Sequence, residues 1–276
     1  MSLSRILSKL KIVKRFLIFW SKARSIDSVD SPLLYDLCQN IKTSSHNPEE
    51  IQKIENRRKA LSTNQATISR QSLGAPSTVH NQDMVSISQL THSAVSPKYK
   101  CELLLSIVRW SGSERILELG TSLGISTAYI ASIDSVSSID TVEGSSSISD
   151  INSQDPHSNK IRFHNSSFQD FLDACNKTGD TYDCIVLDGH HEYEPTLTYI
   201  DQCMGLLNAE GIIIMDDIYW STGMMKAWKE LNARHDWNLK IDLFFYGVLT
   251  KKSSVQESIN IRLWPFKYRW QLGLFR

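Results

Sequence analysis

An α/β fold, doubly wound around a Rossmann-like, mostly parallel sheet of seven strands with a helical N-terminal extension, is expected from three features of this 276-residue sequence. Short apolar runs alternate with amphipathic segments from residue 97 onward. A glycine-bearing turn joins one such run to the next helix, and most of the runs stop on acidic residues. At 41% hydrophobic residues the chain can bury a full α/β core and keep about a third of its length outside it. The expected division is a helical extension and flexible loop over 1–96 and the main domain over 97–276.

Residues 1–24 hold seven Lys or Arg and no acid. Their longest apolar run, Phe16 to Trp20, is too short for a membrane span or a signal peptide. Leu3, Ile6, Leu10, Val13, Leu17 and Trp20 recur at spacings of three and four, which predicts a basic amphipathic helix. Such a stripe most often packs on its own domain or on a second subunit, as in a homodimer. The other reading is peripheral contact with an anionic membrane through residues 1–24.

SPLLYDLCQNI at 31–41 reads as a short helix with Pro32 in its first position. Asn47-Pro48-Glu49-Glu50 then supplies a cap, a first-position proline and two first-turn acids for a polar helix reaching about Leu61. From Ser62 to Ser96 the periodicity disappears and Gly74-Ala75-Pro76 interrupts the middle, which predicts a long loop, either a flap near the substrate or a linker. Ser96-Pro97 opens a helix with Leu103, Leu104, Ile107, Val108 and Trp110 facing inward. The strand candidates are 115–119, 138–143, 161–165, 182–187, 211–215 and 240–250, the last able to hold two strands around Gly247. Helices at Thr196 to Leu207 and Thr222 to Ala233 fill two of the later intervals.

RILELGTSLGISTAYIAS at 115–132 carries the most chemistry. Ile116, Leu117 and Leu119 suit an inner parallel strand, Gly120 and Gly124 let the backbone turn closely around a ligand, and Ser126 lies in the helix that follows. The spacing is E-x-G-x-x-x-G, with Glu118 at the strand end, and a pyrophosphate would meet that carboxylate. S-adenosyl-L-methionine has no phosphate and carries a sulfonium and an ammonium, so an acid in the turn favours it over NAD. The next strand, in SIDTVEG, ends at Glu143, where a carboxylate can accept both ribose hydroxyls. The plainer reading leaves both glutamates as solvated strand ends.

YDCIVLDGHHEYEP stops its apolar run at Asp188, and GIIIMDDIYW stops at Asp216 and Asp217. Adjacent parallel strands would bring these three carboxylates together, and the cluster then needs a cation, for which Mg²⁺ is suited. Otherwise Asp217 caps the next helix and Asp188 is merely solvated. His191, three residues beyond Asp188, is placed to take a proton from an acceptor hydroxyl, with His190 as its competitor. Tyr219 and Trp220 are candidates for an acceptor wall or for core.

Together these residues resemble the class I S-adenosylmethionine-dependent methyltransferases over about 97–250, LELGTSLGISTAYIA being the most specific part. DGHHEYE and MDDIYW resemble the metal-dependent O-methyltransferases of the catechol and macrolide-sugar types. The whole chain is most similar to a largely uncharacterised bacterial group of class I methyltransferases. The resemblance implies Asp188, Asp216 and Asp217 as Mg²⁺ ligands, His191 as general base beside Asp188, and Phe168 and Gln169 as adenine contacts. It also implies in-line methyl transfer to an oxygen of a small-molecule acceptor, in a domain spanning 97–276. Metal-independent N- or O-methylation is the alternative, and a non-catalytic S-adenosylmethionine-binding protein the third reading.

Formal charge sums to zero, but the two basic ends leave the rest of the chain eleven charges negative, which argues against a nucleic-acid groove. Five cysteines, odd in number and without paired spacing, point to a reducing, cytoplasmic compartment and to no structural zinc.

Overall fold

A computed structural model describes residues 3–29, 31–43, 47–69, 84–152 and 159–264. Its helices in chain order are α1 (Leu3–Trp20), α2 (Pro32–Thr43), α3 (Pro48–Thr63), α4 (Ile87–Ala94), α5 (Lys98–Ser111), α6 (Ile125–Ala131), α7 (Ser146–Asn152), α8 (Phe168–Thr178), α9 (Tyr193–Met204) and α10 (Thr222–Ala233). Its strands are β1 (Arg24–Ser25), β2 (Thr67–Ser69), β3 (Met84–Ser86), β4 (Arg115–Leu119), β5 (Ser138–Glu143), β6 (Ile161–Asn165), β7 (Tyr182–Leu187), β8 (Leu207–Asp216), β9 (Leu239–Asp242), β10 (Tyr246–Thr250) and β11 (Ile259–Trp264).

Nine strands form one sheet in the order β1-β11-β9-β10-β8-β7-β4-β5-β6. The expected seven strands are therefore extended at one edge by β11 and β1, which the sequence pattern did not mark. β4 pairs in parallel with both β5 and β7, and β7 pairs in parallel with β8, while β10 runs antiparallel to its neighbours. After β4 the chain builds outward to β6 and then returns to place β7 on β4's other side. Open α/β sheets bind ligands beside such a reversal, outside the carboxyl ends of the strands.

Residues alternate between the two faces. Ile116, Ile139, Val186 and Ile214 join a core shared with α5 and α6, whereas Leu117, Val142, Ile185, Leu187 and Ile213 join a core shared with α8, α9 and α10. Leu34, Leu37, Ile51 and Ile54 from α2 and α3 are part of the first core, so the extension is packed into the domain. Each such side chain, fully buried, stabilises the fold by roughly 1.5–3 kcal/mol. The Asn47 side chain caps α3 by accepting from the Glu49 N–H, as its sequence signature predicts.

Three expectations are corrected. The stretch 62–96 is not all loop: β2 pairs with β3, and α4 follows with Ser86 and Gln89 forming a capping box and Ile87 and Leu90 buried. The Gly74-Ala75-Pro76 break lies outside the described residues, as does the basic tail beyond Trp264. The strand break within 240–250 falls at Leu243–Phe245, with Phe244 at φ +68, while Gly247 is in mid-strand because a Cβ there would stand 2.6 Å from the Trp228 ring. Among the described side chains of α1 the buried ones are Phe16 and Phe19, packed with Phe244 and Trp264. The expected inward stripe instead leaves Leu10 58% and Leu17 54% exposed, because aromatic side chains one turn apart fill the groove better than the leucines. Among the described residues no helix is long and apolar enough to cross a membrane.

Candidate functional site

At the exit of β4, Gly120 turns the chain at φ +114, and a Cβ there would sit 2.0 Å from the carbonyl oxygen of Asp188. Only glycine lets two backbones approach so closely in that conformation. Gly124 at φ +67 opens α6. Glu143, at the end of β5, reaches back to the same turn: its Oε2 accepts from the Ser122 N–H at 3.0 Å and its Oε1 from the Ser145 N–H at 2.9 Å. Burial pushes this carboxyl up, against the pull of those amides. The Ser122 hydroxyl is buried in the turn without a hydrogen-bond partner. A glutamate and an orphaned hydroxyl beside a glycine turn suit the polar edge of a nucleoside.

Glu118 lies beneath the turn and is fully buried. Its carboxylate accepts from Ser126 Oγ at 2.8 Å, Thr127 Oγ1 at 2.5 Å and Thr141 Oγ1 at 2.7 Å, which ties β4 to α6 and β5. Burial raises its pKa, and the three hydroxyls oppose that shift. Glu118 and Ser126 thus hold the turn in shape, and a cationic ligand above them would feel the carboxylate through its field. Sequence reasoning missed two further supports: Asn152 Nδ2 donates to the Ser122 carbonyl at 2.7 Å, and Arg57 Nη2 donates to Asn152 Oδ1 at 3.2 Å. Glu55 accepts from Tyr129 on α6 at 2.7 Å. Both Arg57 and Glu55 are on α3, whose polar residues carried no signal of what they face.

Across the crevice, the register Leu187↔Met215 sets Asp188 beside Asp216, as parallel neighbours of equal reach must be. The three expected aspartates do converge. What sits among them is the Lys100 ammonium, 2.7 Å from Asp216 Oδ1 and 2.7 Å from Asp217 Oδ1, brought in by the first turn of α5. Burial by itself would lower Lys100, but the charges of Asp216, Asp217 and Asp188 outweigh it and hold the ammonium well above its usual range. Asp216 is raised by burial and by the neighbouring Asp188, and Asp188 is raised by burial, both opposed by Lys100. Asp217 is lowered, since Lys100 and then His191 overcome its burial. Lys100 continues the inward stripe of Leu103, Leu104 and Ile107 one turn earlier, and a lysine on a core-facing stripe was the signal available in the sequence.

The expected Mg²⁺ set thus meets a cation supplied by the chain itself. Among the described residues no group of three or more His, Cys, Asp or Glu side chains is placed to hold a metal ion. Asp216 Oδ1 is already engaged by Lys100 and by the Asp217 N–H at 2.6 Å, so the oxygens that would ligate a metal face an ammonium. The donor set does not fit a divalent ion.

His191 stands at this cluster with Nε2 3.7 Å from Asp188 Oδ1 and its buried Nδ1 without a hydrogen-bond partner. His190, its competitor, packs edge-on against Phe168 and Tyr199. Three non-glycine residues with positive φ, Ser122, His190 and Asp217, follow three neighbouring strands here. Strain of about 1–3 kcal/mol at each such residue clusters at functional sites. Phe168 lies against Gly189, whereas Gln169 is exposed and donates to Asp173 on its own helix. Tyr219 donates to Asp242 and stacks on Phe244, so it belongs to the aromatic core under α1, while Trp220 is 52% exposed.

With this geometry in place, comparison with known proteins gives a consistent result. Residues 117–218 match a family described as a methyltransferase domain. The fold is shared with an O-methyltransferase from Bacillus cereus solved in complex with SAH, at a TM-score of 0.53 and 15% identity over 75% of this chain and 93% of that one. A Klebsiella pneumoniae protein, assigned provisionally as an O-methyltransferase, superposes at a TM-score of 0.52 and 13% identity over 77% of this chain and 94% of that one. No curated protein sequence matches the chain. The fold is therefore shared with these O-methyltransferase structures, and residues 117–218 match a methyltransferase-domain family.

Proposed function

We propose that this methyltransferase domain uses S-adenosyl-L-methionine to methylate an oxygen of a small hydroxylated acceptor. The observation that carries the reading is the facing pair of half-sites: the Gly120–Gly124 turn with Glu143 on one side of the crevice, and His191 with Asp188 on the other. Bound S-adenosylmethionine supplies a methyl on a positively charged sulfur, which departs as a neutral thioether when an oxygen attacks in line.

The chain's own residues do the rest. Glu143 accepts the ribose hydroxyls while its other lone pairs stay on the Ser122 and Ser145 amides. Glu118, locked by three hydroxyls, adds a fixed negative charge below the turn. His191, with its Nε2 3.7 Å from Asp188 Oδ1, takes the acceptor's O–H proton as the O–C bond forms and the S–C bond breaks. Holding oxygen and methyl in line supplies most of the acceleration, roughly 7–11 kcal/mol in favourable cases. Of the forms with and without Mg²⁺, the donor set supports the second.

Calorimetry with S-adenosylmethionine and SAH, followed by a methyl-transfer screen against hydroxylated metabolites, tests this. The expected result is micromolar affinity for both and turnover that His191→Ala reduces by about 10²–10⁴-fold, the range of a general base. Affinity for a dinucleotide in place of either sulfur compound would overturn the assignment.

A further inference from the structure

We propose that Lys100 is the resident cation of the Asp188, Asp216 and Asp217 site, so that catalysis there proceeds without a divalent metal. Where it concerns catalysis, the proposal rests on the methyl-transfer reading above. Three carboxylates gathered at the ends of buried strands cannot coexist without positive charge. The chain supplies that charge from α5, with the ammonium nitrogen bonded at 2.7 Å to both Asp216 and Asp217. The lysine is 6% exposed, its ammonium nitrogen lies 5.5 Å from the ring centroid of the fully buried Tyr246, and Tyr246 donates its hydroxyl to the Lys100 carbonyl. Lys100 is thus a positioning residue: it fixes Asp216 and Asp217, and through them the loop that ends at Asp188 and His191.

Mn²⁺ titration followed by electron paramagnetic resonance, on the full chain, decides the matter. Wild-type protein should leave Mn²⁺ free, and its melting temperature should not respond to EDTA or Mg²⁺. Lys100→Ala should gain a bound Mn²⁺ that the added change Asp216→Asn removes. Tight Mn²⁺ binding by the wild type, abolished by Asp216→Asn alone, would overturn the proposal, and this arm does not depend on the lysine variant folding. Calorimetry with SAH on the same preparation separates the two readings, since a loss of cofactor affinity sinks the enzymatic assignment without touching the Mn²⁺ result.

A second, independent observation concerns α1. We infer that its outer face docks on an anionic lipid bilayer. Leu10, Leu17 and Ile18 are 50–58% exposed, and Lys11, Lys14, Lys22 and Arg24 stand exposed around them. With no acid in residues 1–24, a two-fold pairing of this face with a second copy would set lysines against lysines, whereas anionic headgroups would attract them. The helix is fixed beside the site: Arg15 Nη1 donates to the Tyr219 carbonyl at 2.8 Å and the Trp220 carbonyl at 2.6 Å, on the loop leaving Asp217. Flotation of the full chain with phosphatidylcholine vesicles, with and without phosphatidylglycerol, should show binding only to the anionic set, reversed by salt. Leu10→Glu with Leu17→Glu should abolish it while SAH affinity stays unchanged. Failure to float on anionic vesicles, or a dimer that these substitutions dissociate, would refute the inference.

Discussion

Gly120→Ala should be destabilised by on the order of 4 kcal/mol, enough to leave little folded protein, whereas Gly179→Ala should cost only about 1–2 kcal/mol. Both glycines have positive φ, so each pays backbone strain when a Cβ is added. The difference is what the new carbon meets. At Gly179, which ends α8, nothing lies within 4 Å; at Gly120 the Asp188 carbonyl oxygen would be 2.0 Å away. That oxygen cannot retreat, because the Asp188 N–H is bonded to the Leu119 carbonyl at 2.9 Å and both strands are interior. Urea unfolding of the two variants checks the contrast. Comparable losses at the two sites would mean that the strand ends do not meet as described.

The same close approach explains what the sequence could reveal. Strands 115–119, 138–143 and 182–187 lie where their apolar runs predict, since inner parallel strands are buried on both faces and read as unbroken hydrophobic stretches, and 161–165 is found as the edge strand beside 138–143. β11 and β1, at the opposite side of the sheet, could not be read that way. Ile259–Trp264 has only its last two residues buried, and Arg24–Ser25 has none. Likewise Gly120, Glu143, Asp188 and Asp216 were legible because position at a strand end fixes them. Arg57 and Asn152 were not, because each enters from a helix whose docking angle is a tertiary fact, and Lys100 showed only as a lysine on a core-facing stripe, with nothing to say what it meets. The metal expectation left Lys100 out for this reason: three carboxylates could be placed from strand ends, but the ammonium among them comes from an element far away in the chain.

Glu143→Ala and Glu118→Ala should separate two roles that look alike in the sequence. Glu143 is partly accessible and spends one lone pair on each turn amide, so its removal should weaken S-adenosylmethionine by roughly ten- to a hundredfold, equivalent to the 1.5–3 kcal/mol of hydrogen bonds to a charged group. Glu118 has no surface to offer a ligand. Its removal leaves the buried Thr127 hydroxyl and the half-buried Ser126 hydroxyl without their acceptor and Thr141 with the Thr121 hydroxyl alone, at about 1–3 kcal/mol for each buried group left unsatisfied. The melting temperature should therefore fall far more in Glu118→Ala, while cofactor affinity per folded molecule should fall more in Glu143→Ala. Calorimetry paired with thermal melts reads both quantities. If Glu143→Ala bound S-adenosylmethionine as tightly as the wild type, the glutamate would be a solvated strand end, and the nucleoside side of the crevice would have to be sought elsewhere.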